Sequence, residues 1–116
     1  MEDVLLNIEN YVTHYLNEHL KPSFLYHNLV HTQRVVEKTK ELIEHSQLST
    51  EDSKRLITAA WFHDIGHTVD PKNHEEEGVK ITVPYLKEQN FTQEDIDVIS
   101  QLILATKMDH VPTTMM

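Results

Sequence analysis

Five stretches of apolar side chains recur along this chain at intervals of three and four residues, and this spacing constrains the fold more than any other feature. Residues at such intervals share one face of an α-helix, so each stretch predicts a helix with one buried side. No stretch alternates convincingly as a strand does, and two glycines leave little material for loops. The sequence therefore predicts an all-α fold. The first helix shows the pattern through Val4, Leu5, Ile8, Tyr11, Val12, Tyr15 and Leu16.

The second helix is expected to begin near Asn28, because Asn is a favourable N-cap residue. Its buried side should include Val35, Leu42 and Ile43, which follow the helical spacing. Pro22 should lie beyond the end of the first helix, since proline often follows a helix end.

Capping residues predict the remaining helix boundaries. Ser49 and Thr92 are each followed three residues later by Asp, as in a capping box, so the third and fifth helices should follow them. A fourth helix is expected over about 73–89, with Pro84 as an internal kink or a missing hydrogen bond. The five helices predict one compact bundle, with residues 1–116 as a single domain.

The composition excludes several classes of function. The net charge is −9, with 10 Lys and Arg against 19 Asp and Glu, which opposes binding to the phosphate backbone of a nucleic acid polymer. The absence of Cys excludes disulfides and thiolate zinc sites. The acidic start does not resemble a signal peptide, and no apolar run could span a membrane. We expect a cytoplasmic protein that binds neither membranes nor nucleic acids.

The third helix ends in AAWFHDIGH, residues 59–67, which carries polar groups on an apolar stripe. His63 and Asp64 both lie in helical phase with Ala60, so both should face the core. Gly66 is expected to end the helix in a left-handed conformation. A titratable pair is therefore directed inward from a helix end.

His31 on the second helix shares a face with Val35 and Leu42, so it should also point inward, towards the same place as His63 and Asp64. A single buried His is more often a core residue with an ordinary hydrogen-bond partner, and Asp64 alone could orient His63. A buried carboxylate costs several kcal/mol unless it is compensated, however, and a divalent cation compensates it better than two neutral imidazoles. Three converging residues therefore favour a metal site with ligands suited to Zn, Mn, Fe, Co or Ni.

Three segments carry a family resemblance: YHNLVH (26–31), AAWFHDIGH (59–67) and NHEEEG (73–78). Together they resemble the HD superfamily of metal-dependent phosphohydrolases, over about Tyr26 to Thr106, and they are also similar to the catalytic core of cyclic-nucleotide phosphodiesterases. The resemblance implies that His31, His63 and Asp64 bind a divalent cation, which in such proteins is Mn, Zn, Fe, Co, Ni or Mg. It implies hydrolysis of a phosphate ester of a small nucleotide-like molecule.

The same resemblance assigns roles to four further residues. His27 would be a catalytic proton donor or a phosphate contact. His67 would lie near the phosphate or near a second metal. His74 and Glu75 would contact the substrate at the rim of the pocket.

One part of the family pattern is missing. The family completes its ligand set with an Asp on a later helix, and the only acid after residue 100 is Asp109, in an aperiodic tail. We therefore expect a C-terminally truncated domain that lacks its last helices. The uncovered apolar face of residues 96–106 should then favour homo-oligomers.

Other functions remain open at this point. A non-catalytic HD-fold domain that binds metal or ligand for regulation is the main alternative. A zinc metallopeptidase built on HNLVH would need Glu in place of Asn28. Oxygenase chemistry also occurs on HD folds, usually with two irons and additional His.

Overall fold

The computed structural model describes residues 2–20, 22–68 and 73–108, and within these ranges the side chains of residues 2–3, 22–28, 67, 74 and 106–108 are left undescribed. The chain is all-α, and no strand occurs in the described ranges. The helices are α1 (Glu2–His19), α2 (Pro22–Glu44), α3 (Thr50–Phe62), a 3-10 helix (Ile65–Thr68), α4 (His74–Glu88) and α5 (Gln93–Met108).

The predicted N-caps of α3 and α5 are confirmed. The hydroxyl of Ser49 accepts a hydrogen bond from the backbone N–H of Asp52 at 3.0 Å, and that of Thr92 accepts one from the backbone N–H of Asp95 at 3.1 Å. Each bond satisfies a donor that the helix leaves free in its first turn. Pro84 lies inside α4, as predicted.

The predicted start of α2 near Asn28 is wrong, because this helix begins at Pro22. Proline is favourable at the first position of a helix, where its missing N–H would have no intrahelical partner. Asn28 therefore belongs to the interior of α2, and α2 follows α1 after a very short connection.

The core lies around α3, which packs against α1, α2 and α5. Trp61 in the last turn of α3 is only 5% exposed. Enclosed apolar side chains from α1, α3, α4 and α5 meet there, as the helical spacing predicts. Those with 0% exposure are Ile8, Val12, Phe62, Leu86, Ile99 and Ile103.

The predicted buried side of α2 is partly wrong. Leu42 is 64% exposed, whereas Thr32 and Val36 are buried. Val35 and Ile43 lie at the edge of this face and are half-buried. The face that α2 turns to the core is therefore centred on Thr32 and Val36, and Leu42 faces away from it.

A charged cluster ties α3 to α5. The Arg55 guanidinium donates to Asp95 Oδ1 at 2.7 Å and to Asp52 Oδ1 at 3.2 Å. Desolvation raises the pKa of the Asp95 carboxyl, but hydrogen bonds from Arg55 and Thr92 and nearby positive charge outweigh it, so this pKa is lowered.

Candidate metal centre

The end of α3 fixes the His63 ring. The helix ends at Phe62, and His63 is its C-cap in a right-handed helical conformation. His63 Nδ1 lies 2.7 Å from the carbonyl oxygen of Ala60, and because a carbonyl can only accept, Nδ1 carries the proton and donates. In neutral His63, Nε2 then carries the lone pair that can bind a metal. A hydrogen bond from the other ring nitrogen to a carbonyl is usual for a metal-binding histidine.

The turn after His63 differs from the prediction for Gly66. This glycine lies in the 3-10 helix, and no described glycine has a positive φ. The chain therefore leaves α3 by tightening into a 3-10 turn and not through a left-handed residue.

Helix α4 packs directly on this turn. A Cβ atom on Gly78 would lie 3.5 Å from the carbonyl oxygen of Phe62 and 3.7 Å from the backbone nitrogen of Gly66. Helix α4 therefore lies close to the segment that carries the His63–Asp64 pair.

The predicted three residues do come together. His31 Nε2 and His63 Nε2 lie 3.0 Å and 2.9 Å from the same oxygen of Asp64, Oδ2. One possible ligand atom from each residue lies within 4.8 Å of the others. The pattern of inward-facing positions on two helices therefore located this cluster correctly.

The cluster is buried on one side and open on the other. The side chains of His63 and Asp64 are 11% and 12% exposed, but that of His31 is 57% exposed. The prediction that His31 points inward is therefore only half right, since its ring reaches Asp64 but borders solvent. A small molecule can approach the cluster from the His31 side.

The negative charge of Asp64 affects the pKa of the His63 imidazole. Burial alone lowers the pKa of the His63 imidazole, but the hydrogen bond and negative charge of Asp64, together with the Ala60 carbonyl, raise it above its usual value overall. Two imidazole nitrogens around one carboxylate oxygen form an arrangement that favours positive charge, supplied either by protons or by a cation.

These donors fit a divalent metal. Ligands about 2.1 Å from one ion and at right angles to each other are about 3 Å apart, which matches the two nitrogen–oxygen distances in the cluster. Two imidazoles and a carboxylate are typical ligands of Zn, Mn, Fe, Co and Ni. Candidate ligands His31, His63 and Asp64 would hold the ion, with further positions left for water or substrate.

The structure leaves the other predicted site residues untested. The side chains of His27, His67 and His74 lie outside the described part of the structure, and so does Asp109. Glu75 is described, and it is only 3% exposed, in the first turn of α4. The predicted substrate contacts of these residues stay predictions.

Sequence reasoning missed two contributors to the site. The Ala60 carbonyl orients His63, and its position three residues before an inward His at a helix end was the available signal. The packing of α4 on the turn near Gly78 is the second contributor, and a glycine inside a predicted helix was the signal for a close approach there.

Comparison with protein families shows a match between residues 28–113 and the model of the HD domain. The match includes all three residues of the cluster. Searches of curated proteins and of solved structures gave no match.

Proposed function

This chain belongs to the HD domain family, a superfamily of metal-dependent phosphohydrolases, and from that premise we propose that it hydrolyses a phosphate ester of a small nucleotide-like molecule. The observation that carries the proposal is the cluster of His31, His63 and Asp64, whose spacing and chemistry suit one divalent cation. When bound, such a cation would lower the pKa of water and offset the charge of a phosphoryl group.

The surrounding charge supports a role for a cation. The chain has a net charge of −9, so an anionic ester needs a local positive centre to bind. The exposed ring of His31 leaves one side of the cluster open to such a ligand. From the other side, the hydrogen bond from His63 to the Ala60 carbonyl and the largely enclosed Asp64 side chain would keep the donor atoms in place.

Two further histidines have proposed roles in the reaction of the substrate. His27 would protonate the leaving alkoxide, since imidazole titrates in the range where it can both carry and release a proton at neutral pH. His67 follows Asp64 by three residues and would contact the phosphoryl group. Both assignments rest on the family motif. His74 and Glu75 would bind the substrate at the edge of the site.

Hydrolysis of simple phosphoesters is the direct test. The purified chain would be freed of metal, resupplied with Mn, Zn, Fe, Co, Ni or Mg one at a time, and assayed for phosphate release from nucleoside monophosphates. We expect metal-dependent turnover that Asp64→Asn abolishes. The matched control is Asp97→Asn, which neutralises an exposed carboxylate on α5. Equal activity in wild type and Asp64→Asn would contradict the proposed site.

A binding domain without catalysis is the second candidate. It is favoured by the ligand set, because the cluster found among the described residues includes no Asp from a later helix, which the family pattern uses to complete its metal site. Stoichiometric metal binding that depends on Asp64, without turnover of any phosphoester, would select this alternative.

A further inference from the structure

Two tyrosine rings from different helices stack on each other in this fold. The ring centroids of Tyr11 on α1 and Tyr85 on α4 lie 4.1 Å apart, with 26° between the ring planes. This distance is shorter than the roughly 4.5–7 Å typical of aromatic pairs in proteins. Most of the chain separates the two residues in sequence, so the stack is a tertiary contact between α1 and α4.

Neighbouring rings pack against this pair and limit its movement. The Phe62 ring, which is 0% exposed, has its centroid 6.1 Å from that of Tyr11 and 5.6 Å from that of Tyr85. The Tyr15 ring, one turn further along α1, lies 6.0 Å from Tyr11 at an angle of 38°. Tyr85 is only 7% exposed and Tyr11 is half-buried, so an oxidant in solution can reach the pair at Tyr11.

Both phenols of the pair are protonated at neutral pH. Burial raises the pKa of each phenol, and nearby ionisable groups, among them Glu88, raise it further. A phenol that loses an electron becomes a strong acid, so its proton needs an acceptor. Glu88 lies one turn after Tyr85 on α4, is exposed, and has a charge that acts on both phenols, so its carboxylate or water can take these protons.

We propose that Tyr11 and Tyr85 form a site of oxidative cross-linking, at which a one-electron oxidant, such as a haem peroxidase with hydrogen peroxide, joins α1 covalently to α4. Each ring gives one electron to the oxidant and its phenolic proton to Glu88 or to water. The first vacancy moves from Tyr11 to Tyr85 across the stack, so the more accessible Tyr11 can be oxidised again. Both rings are then phenoxyl radicals in contact with each other.

The coupling of the two radicals completes the reaction. A carbon–carbon bond forms between the ring positions next to the two hydroxyl groups. Each of these carbons gives up its hydrogen as a proton, and a proton returns to each oxygen as the rings regain aromaticity, which yields dityrosine. In total two electrons and two protons leave the pair, and they reduce one molecule of hydrogen peroxide to two of water.

The cross-link would restrain the segment that follows the candidate metal centre. Helices α1 and α4 both pack on the 3-10 helix Ile65–Thr68, which comes directly after Asp64. A covalent bond between two helices that contact the same short segment limits its local opening. The bond also closes a long loop and so restricts the unfolded chain, as a disulfide does. The modification therefore stabilises the protein, and it does not depend on phosphohydrolase activity.

Oxidation of the dilute chain tests the site directly. The protein would be treated with a haem peroxidase and hydrogen peroxide, and its monomer fraction examined by dityrosine fluorescence and by mass spectrometry of proteolytic peptides. We expect a monomer that has lost two hydrogen atoms and whose cross-linked peptides contain Tyr11 and Tyr85. Tyr11→Phe and Tyr85→Phe keep the ring but remove a phenol, so each should lose this product. Tyr15→Phe is the matched control and should retain it.

Several results would overturn the proposal. These are a cross-link that joins Tyr15 or Tyr26 instead, one that forms only between two chains, and one that persists in Tyr85→Phe. The absence of any product from wild type overturns it as well, both with the peroxidase and with a small photochemical one-electron oxidant that can enter where the enzyme cannot. If Tyr85→Phe does not fold, Tyr11→Phe makes the same test at a half-buried position.

The effect on the fold is measured on the purified cross-linked monomer. We expect Tm to rise by about 10–20 °C, the size expected when a long loop is closed in a chain of this length. Hydrogen exchange at the backbone N–H groups of residues 65–68 should become slower than in the untreated chain. Unchanged Tm and unchanged exchange in a chain that carries the cross-link would refute the restraint on this segment.

Discussion

Replacing Gly78 with Ala should stabilise the protein, although this glycine lies in the contact between α4 and the turn that carries Asp64. The added Cβ would lie 3.5 Å from the Phe62 carbonyl oxygen and 3.7 Å from both the Gly66 nitrogen and Ile103 Cγ2. These are ordinary van der Waals distances, so the methyl group fits without displacing the backbone. Alanine also removes the cost of glycine in a helix interior, which is about 1 kcal/mol.

We therefore expect Gly78→Ala to raise the free energy of unfolding by about 1 kcal/mol, or Tm by about 3–5 °C for a chain of this size. Equilibrium urea unfolding followed by circular dichroism measures the change. Ala105→Gly, at an exposed position of α5, is the control, because it reports the helix-propensity effect alone with the opposite sign. A loss of stability in Gly78→Ala would show that α4 and the turn lie closer together than these distances indicate and would refute the reasoning.

Four other outcomes follow from the structure. Gly78→Leu should lose about 1–3 kcal/mol of stability by overpacking and should weaken metal binding, both measured by calorimetry. Asp64→Ala should lose its metal in elemental analysis, and equal stoichiometry in mutant and wild type would refute the shared site. His27→Ala should keep most of its metal but lose turnover about 10²–10⁴-fold, and metal loss as complete as in His63→Ala would show that its role is wrong. The pKa of the Asp95 carboxyl is lowered in the folded state. Ionised Asp95 therefore stabilises the protein when the pH is above the unfolded-state pKa, and this stabilisation is lost as the pH falls through the folded-state pKa. Asp95→Asn should therefore be less stable than wild type at neutral pH, and the two urea midpoints should converge in acid.

Local signals in the sequence predicted much of the fold. The caps of α3 and α5 depend on a hydroxyl and the backbone N–H three residues later, so a short segment determines them. The phase of His63 and Asp64 relative to Ala60 likewise depends only on helical geometry. For the same reason the core positions of α1 were predicted correctly.

The errors arose where neighbouring elements decide the outcome. Asn28 is a good N-cap in isolation, but the proline at position 22 allows α2 to begin earlier. Leu42 has the correct spacing for a buried face, yet the face that α2 turns to the core is centred on Thr32 and Val36, so Leu42 stays largely exposed. Gly66 could have adopted a left-handed conformation, but it lies in a 3-10 helix. Helix α4 packs closely against this 3-10 helix, a contact that the local sequence does not reveal.

The single tryptophan of this chain provides an intrinsic fluorescence probe close to the site. Trp61 is buried in the last turn of α3, two residues before His63. All indole fluorescence therefore comes from one apolar environment, and its emission should shift to the red when α3 is exposed to water. Because paramagnetic ions such as Mn²⁺ and Co²⁺ quench nearby fluorophores, loading of the cluster can be followed as a loss of intensity, without any label and in the same cuvette as unfolding.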